Sequence, residues 1–454
     1  MARHGKRHHD YPSLAEKTLI IDNGAYNIKA GFSTENPDVK ECQLIPNCIA
    51  KSREKKVYVG AQLSKCRDFG DMVFVRPLEK GFVVNWPEEK AIWESAFLDS
   101  TAVLKCDPHE TNLILTEAPN CPQTLQVFCD QMVFEEFEFA SYYRCVGPSL
   151  NAYNDIPSLF GDNSEQPPKL SQLPAECLLL IDSGYSHTTV TPLLHGRPIQ
   201  NAVRRLDVGG KFLTNALKET LSTQYYNVQD DTIPVTEIKE SACYVSDDFK
   251  RDLDRTWKLG ARQRREIDYS IVIDWVLPDY ENTMHGYSLP HDPKLPFKTR
   301  TLPMGESVLP MANERFQIPE LLFNPSDIGL AEGGLSDIVM QSLEQLPKGL
   351  WPAMLGNIVL VGGTSKLKGL RERLEAEIRQ NTPSDFPVRV ALHPEAEKAT
   401  WLGGARMANN EDLMKRLCVT RQEYLEHGHT LMHTWTNRQF QARANAVGTT
   451  MLEG

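Results

Sequence analysis

Long apolar runs are missing from this chain of 454 residues. The longest, such as Leu178 to Ile181 and Ile358 to Val361, are strand-sized and far short of the roughly 20 residues that span a bilayer, so neither a transmembrane helix nor a membrane partner is expected. An apolar h-region is also missing from the N-terminus. "MARHGKRHHDYPSLAEK" is polar and basic, which argues against a secretory signal and for a flexible basic arm over 1–17; a nuclear address or a DNA-touching arm is the alternative. Paired cysteines are absent: the ten present form no C-x-x-C. That excludes a zinc ribbon and a disulfide framework, and suggests a reducing compartment in which the cysteines are small buried hydrophobes. Excess positive charge is absent too. The formal charge of -11 leaves only local patches, "KSREKK" (51–56) and "RQRR" (262–265), for any attraction to phosphate. Each patch reads first as a solvated loop.

With 41% hydrophobic and 24% charged residues, the chain has material for a large core and two or more lobes. The segment 18–118 reads as strands and turns, then a helix (87–99) and a buried strand (112–119). A helical stretch follows near 122–136. Residues 162–176 have the Pro, Ser and Gln content of an inserted loop. A second α/β unit then opens, with helices expected over 207–221 and 237–249. The Pro-rich segment 278–304 lacks periodicity and reads as a second long loop, in which tyrosines, His285, His291 and Phe297 are candidate partner anchors. Helix, strand, Gly turn and helix patterns continue to about 416.

One pattern occurs twice. "LIIDNGAYNIKAGF" (19–32) and "LLLIDSGYSHTTV" (178–190) both run an apolar strand into an Asp-x-Gly turn. In such a turn the glycine lets backbone approach a ligand, free N–H groups can face phosphate oxygens, and the Asp can hold a hydrated magnesium ion. One copy closes many ordinary hairpins. Two copies about 160 residues apart, joined by "VGGTS" (361–365) between a buried strand and a helix, form a set able to clamp a nucleotide between duplicated lobes.

Together with "LILTEAPNCP", "MVFEEFEF", "RRLDVGGKFLT", "IKESACYVSDDF", "ANERFQIPELLFNPSDIG", "VLVGGTSKLKGL" and "WLGGARMA", in that order, the chain resembles the actin family from about Thr18 to Gly428. The resemblance implies the α/β fold of actin, hexokinase and Hsp70: two duplicated lobes, each with a mixed five-stranded sheet, around a central nucleotide cleft. The first lobe would comprise 18–160 and 405–454, and the second 161–404. Within the family, the DNGAYN and DSGYS loops and the VGGK segment are similar to a nuclear class that serves in SWR-type remodellers, which exchange variant histone into nucleosomes. The implied partners are the remodeller's motor chain and a zinc-finger HIT-type subunit, with nucleosomal DNA and histones as further candidates. The implied location is the nucleus.

Carried over residue by residue, Asp22 and Asp182 match the cleft carboxylates and Lys29 the phosphate-reaching lysine. Gly24 and Gly184 match the turn glycines, while Gly210, Lys239 and Glu240 match the adenosine side. Gly362, Gly363 and Thr364 match the turn beneath the nucleotide. Two readings stay open: these residues hold ATP or ADP structurally, or the glycines merely close turns and Lys239 and Glu240 pair with other charges. The departures are Ala25 and Tyr26 for a hydroxyl and a glycine, and Tyr185 and Ser186 for an acidic residue and a glycine. Gly147 stands in place of the glutamine that orients attacking water. No catalytic residue and no protein-built metal site are expected, and the rings would fill a partly vacated cleft. The filament loop near 50–57 is much shortened, so filament contacts should be lost.

Overall fold

The computed structural model describes residues 14–428 except 54, 67–71, 162–172, 226, 230, 257–267, 279–282, 296–297 and 304. The RQRR patch, Phe297, most of the 162–176 insertion and the tail beyond 428 therefore lie outside the described residues. Among those described, no helix is long and apolar enough to cross a membrane.

Two mixed sheets carry the fold. The first runs Val419–Thr420, Ser141–Val146, Thr111–Glu117, Lys17–Asn23, Asn27–Phe32, Gln43–Pro46. The second runs Arg197–Pro198, Thr188–Leu194, Cys177–Ser183, Ile358–Val361, Val390–Leu392, with Arg204–Leu206 also on Thr188–Leu194. Each has the same plan: an antiparallel hairpin at one side, then two strands parallel to its first arm. The second sheet is five ranks wide, because two short strands share one edge. The first is six wide, and its extra rank is Val419–Thr420, paired at only two positions.

Strand period explains why the repeated stems are apolar throughout. Leu19 and Ile21 face one cluster with Leu113, Leu115, Phe134 and Tyr142, while Ile20 faces another with Ile114, Leu150 and Trp401. Leu179 and Ile181 likewise face the cluster of helices Gly210–Gln224 and Leu335–Leu343, and Leu178 and Leu180 face Ala152, Ile156 and Ala399. Both central strands are thus covered on both faces.

Residues 147–160 and helix Ala399–Ala408 lie between the sheets. Ala399 packs with the second sheet, whereas Trp401, Leu402 and Ala405 pack with the first. Asn151 donates to the Thr400 hydroxyl (3.0 Å) and Asn154 to the Ala399 carbonyl (2.9 Å). A side chain on Gly403 would collide with the Leu150 carbonyl, so only glycine allows this close approach.

Several local expectations are corrected. The helix expected over 237–249 is instead Thr232–Ala242. Beyond it, Tyr244 and Val245 turn extended and donate their N–H groups to Arg315 and Lys368, and Phe249–Thr256 starts a new helix. Segment 278–304 is not simply loop. Tyr287–Pro290 and Arg300–Thr301 join Ile273–Val276 and Ser307–Met311 in a four-stranded sheet. This buries His291 against Asp274 at 2.8 Å, with Tyr269 stacked on its ring, so His291 is a core residue and not a surface anchor. His285 remains exposed and sits 3.0 Å from Glu237. The end of the basic arm is fastened: Asn112 exchanges hydrogen bonds with Ala15 and also donates to the Lys17 carbonyl. At 50–57 the chain makes a tight hairpin, Ile49–Ser52 with Val57–Val59.

Candidate functional site

The two hairpin turns face each other across a cavity of about 310 Å³, at the small end of the range for ligand sites. Its wall gathers all the residues singled out above: Asp22, Gly24, Ala25, Tyr26, Lys29, Gly147, Asp182, Gly184, Tyr185, Ser186, Gly210, Lys239, Glu240, Gly362, Gly363 and Thr364. A larger open groove of about 870 Å³ between helices Gly210–Gln224 and Glu314–Glu320 contains none of them.

At the carboxylate end, the Lys29 ammonium lies 3.1 Å from Asp22, and the Thr116 hydroxyl donates to Asp22 at 2.8 Å. Burial opposes the charge on Lys29, but Asp22 and Asp182 outweigh it and hold the lysine pKa above its ordinary value. Asp182 is less well served. Burial, reinforced by repulsion from Asp22, pushes it up to about 6 although Lys29 pulls the other way. A buried carboxylate in this state favours an added cation. Yet among the described residues no group of three or more His, Cys, Asp or Glu is gathered to hold a metal.

At the phosphate-loop end, the rings of Tyr26 and Tyr185 meet with centroids 4.8 Å apart. The Arg76 guanidinium lies over both, 4.5 Å from one centroid and 5.1 Å from the other, within cation–π range. One of its nitrogens also donates to the carbonyls of Ala25, Tyr26 and Asn47 at 3.1–3.2 Å. Burial pushes the Tyr26 phenol up to about 12, with Arg76 counteracting, so both rings stay neutral at physiological pH. Tyr26 belongs to the first sheet's hairpin and Tyr185 to the second's.

Beside them, the hairpin of Leu78–Glu79 and Phe82–Val83 turns through Lys80 and Gly81, both at positive φ, against the second lobe. Lys80 pairs with Asp207 at 3.2 Å, Arg205 donates to the Lys80 carbonyl at 2.8 Å, and Gly81 abuts the His187 ring so closely that no Cβ would fit. Burial and Arg205 together lower the His187 pKa to about 4, so its ring is neutral.

Of the residues matched to the adenosine side, Lys239 and Gly210 are engaged with each other. Lys239 is buried, donating to the Gly210 carbonyl (3.3 Å) and the Thr214 hydroxyl (3.1 Å), and so joins helix Thr232–Ala242 to helix Gly210–Gln224. Glu240 is solvent-exposed and 3.9 Å from Lys239. Thr364 donates to the Gly184 carbonyl at 2.8 Å. A Cβ on Gly24, Gly209 or Gly362 would strike backbone or a facing side chain, so these turns need glycine whether or not a ligand is present. Gly147 differs: a Cβ there would meet Thr400 and Thr116 at ordinary contact distance, so packing does not demand glycine.

At the loop end the Tyr26 and Tyr185 rings stand where small residues would have to close on phosphate, and Lys29 is paired with Asp22, so the residues present do not fit a magnesium triphosphate there. Sequence reasoning missed Arg76, Thr116, His187 and Glu117. Glu117 is pushed up to about 7 by burial despite Arg144 at 3.5 Å. Thr116 and Glu117 stand in the quoted "LILTEAP" and were available to inspection; nothing local marks Arg76.

Duplicated mixed sheets, paired Asp-x-Gly turns and a Gly-Gly turn at the cleft floor define an actin-type protein, and the actin family model matches residues 13–437. The chain belongs to the actin family. Its relatives there are actin-related proteins: it is 48% identical to actin-related protein 6 of Neurospora crassa, covering 95% of this chain and 96% of that one. It is 46% identical to actin-like protein arp6 of Emericella nidulans over 94% and 95% of the two chains. Actin-related protein 6 of Drosophila melanogaster is 32% identical, over 91% and 98%.

Proposed function

We propose that this actin-related protein is a non-catalytic scaffold subunit of a nuclear SWR-type complex that exchanges variant histone into nucleosomes, helping to couple the motor to the nucleosome. The observation that carries the non-catalytic part is the loop end: the Tyr26 and Tyr185 rings stand where small residues would have to close on a triphosphate. Phosphoryl transfer depends on positioning and electrostatic stabilisation. Here the water-orienting position is Gly147, and the second loop offers Tyr185 and Ser186 instead of a further carboxylate. ATP turnover at or below the slow rate of actin follows, and a faster rate abolished by Asp22→Ala overturns it. The partners in this reading are the motor chain, a zinc-finger HIT-type subunit and, through them, nucleosomal DNA and histones. The short 50–57 hairpin supports a monomeric subunit, and pelleting of pure protein in salt and magnesium contradicts that.

Gentle purification of tagged protein from nuclear extract, followed by mass spectrometry, tests the assignment. Stoichiometric recovery of a large remodelling ATPase, a zinc-finger HIT protein and histones supports it. Elution alone, with ATP hydrolysis, favours the alternative of a nucleotide-dependent switch.

A further inference from the structure

We propose that Arg76, seated over the Tyr26 and Tyr185 rings, is the tie that holds the two lobes closed on each other without a nucleotide phosphate to bridge them. Four observations converge. The two rings come from equivalent turns of opposite sheets, so their 4.8 Å contact is a contact between lobes. The guanidinium lies over both faces and is fixed from the first lobe by three carbonyls, which leaves its orientation little freedom. A parallel tie lies alongside, from Lys80 to Asp207 and from Arg205 to the Lys80 carbonyl and over the Phe82 ring at 5.5 Å. Finally, Lys29 is paired with Asp22 and Thr364 is spent on Gly184, so the turns are satisfied by the chain itself.

A nucleotide would ordinarily supply anionic oxygens for donors on both turns to share. In this chain a cation and two π-faces occupy the junction, and a cation shared between rings needs no metal and no ligand. Closure becomes a property of the sequence. This goes beyond the scaffold assignment and does not depend on it.

Hydrogen–deuterium exchange on the full chain tests the tie, using peptides covering 19–32 and 178–190, with 111–117 and 358–361 as references. In the nucleotide-free protein the turn amides should be protected, and magnesium-ATP or magnesium-ADP should leave that protection unchanged. Arg76→Met should speed turn exchange by about tenfold or more with the reference strands unaffected. The radius of gyration should rise as well, which loss of a merely local contact would not cause. If Arg76→Met also exposes the reference strands, Tyr185→Leu decides by the same two measurements, because it leaves the carbonyl bonds of Arg76 in place. Fast turn exchange in the unmodified protein that slows only with nucleotide overturns the proposal. So do variants with unchanged exchange and unchanged radius. Neither result bears on subunit membership, which is judged by co-purifying subunits, although closure that depends on nucleotide would favour the switch alternative.

Discussion

Replacing Asp182 by Asn should stabilise the nucleotide-free protein at neutral pH. The carboxyl is buried beside Asp22, and its pKa stands at about 6 against an ordinary 3.8. A folded-state pKa raised for an acid means that the folded state binds the proton more tightly than the unfolded one. Stability is therefore complete below the unfolded value and is lost as pH rises through the folded one. With about 1.4 kcal/mol per pKa unit, a shift of roughly two units costs the folded protein on the order of 2–3 kcal/mol at pH 7.5. The same reasoning gives on the order of 1.5 kcal/mol at pH 5 and about 0.5 at pH 4. Urea denaturation of both proteins at pH 7.5, 5 and 4 measures the difference directly. The expected result is a gain for Asp182→Asn that shrinks as pH falls. A gain independent of pH, or a variant less stable than the parent at pH 7.5, refutes the electrostatic account. A large stabilisation of the parent by magnesium-ATP, absent in the variant, would show that a cation normally relieves the repulsion.

His187 gives the opposite slope: a histidine pushed down to about 4 carries stability that is intact above pH 6.5 and lost as pH falls below it, by about 2 kcal/mol at pH 5. A denaturation series with His187→Gln should lose that acid-side decline. Trp401→Ala should cost about 3–5 kcal/mol by thermal or urea unfolding, since the indole is fully buried against Ile20 and Gly31. Gly403→Ala should also destabilise, through its clash with the Leu150 carbonyl, and a neutral result would show that helix Ala399–Ala408 can shift. Gly147→Gln should fold normally, because a Cβ there meets Thr400 and Thr116 only at ordinary contact distance and the position lines the cavity, and should not restore ATP hydrolysis in a phosphate-release assay while Arg76 and both tyrosines remain.

The duplicated stems were legible because strand period, apolar runs and Asp-x-Gly turns are local signals, and both sheets place them as equivalent hairpins. Of the residues lining the cleft, those on the two Asp-x-Gly turns and the Gly-Gly turn stand on local signals, whereas Lys239 and Glu240 lie inside helix Thr232–Ala242 and were reached only through the family resemblance. Arg76 was not, because its meaning lies in two rings that are distant in sequence and in three carbonyls that no side-chain pattern records. His291 misled because a histidine in a Pro-rich stretch reads as surface, and only pairing of Tyr287–Pro290 with Ile273–Val276 brings it to Asp274. The helix expected to 249 stops at Ala242 because Tyr244 and Val245 find extended-backbone partners on other segments, a tertiary bond that outweighs helical pattern.

The late arrival of the first sheet's last pieces has a consequence for biosynthesis. Strand Ser141–Val146 gains its neighbour Val419–Thr420 roughly 270 residues further along the chain, and helix Ala399–Ala408, which covers Ile20, emerges only shortly before. At about 5–20 residues per second, a ribosome leaves that apolar face uncovered for on the order of 15–50 seconds. The first lobe, although begun first, cannot be completed first. A nascent chain in this position is a natural client for chaperones that shield apolar surface until the C-terminal helices appear, and truncation before residue 399 should yield insoluble product.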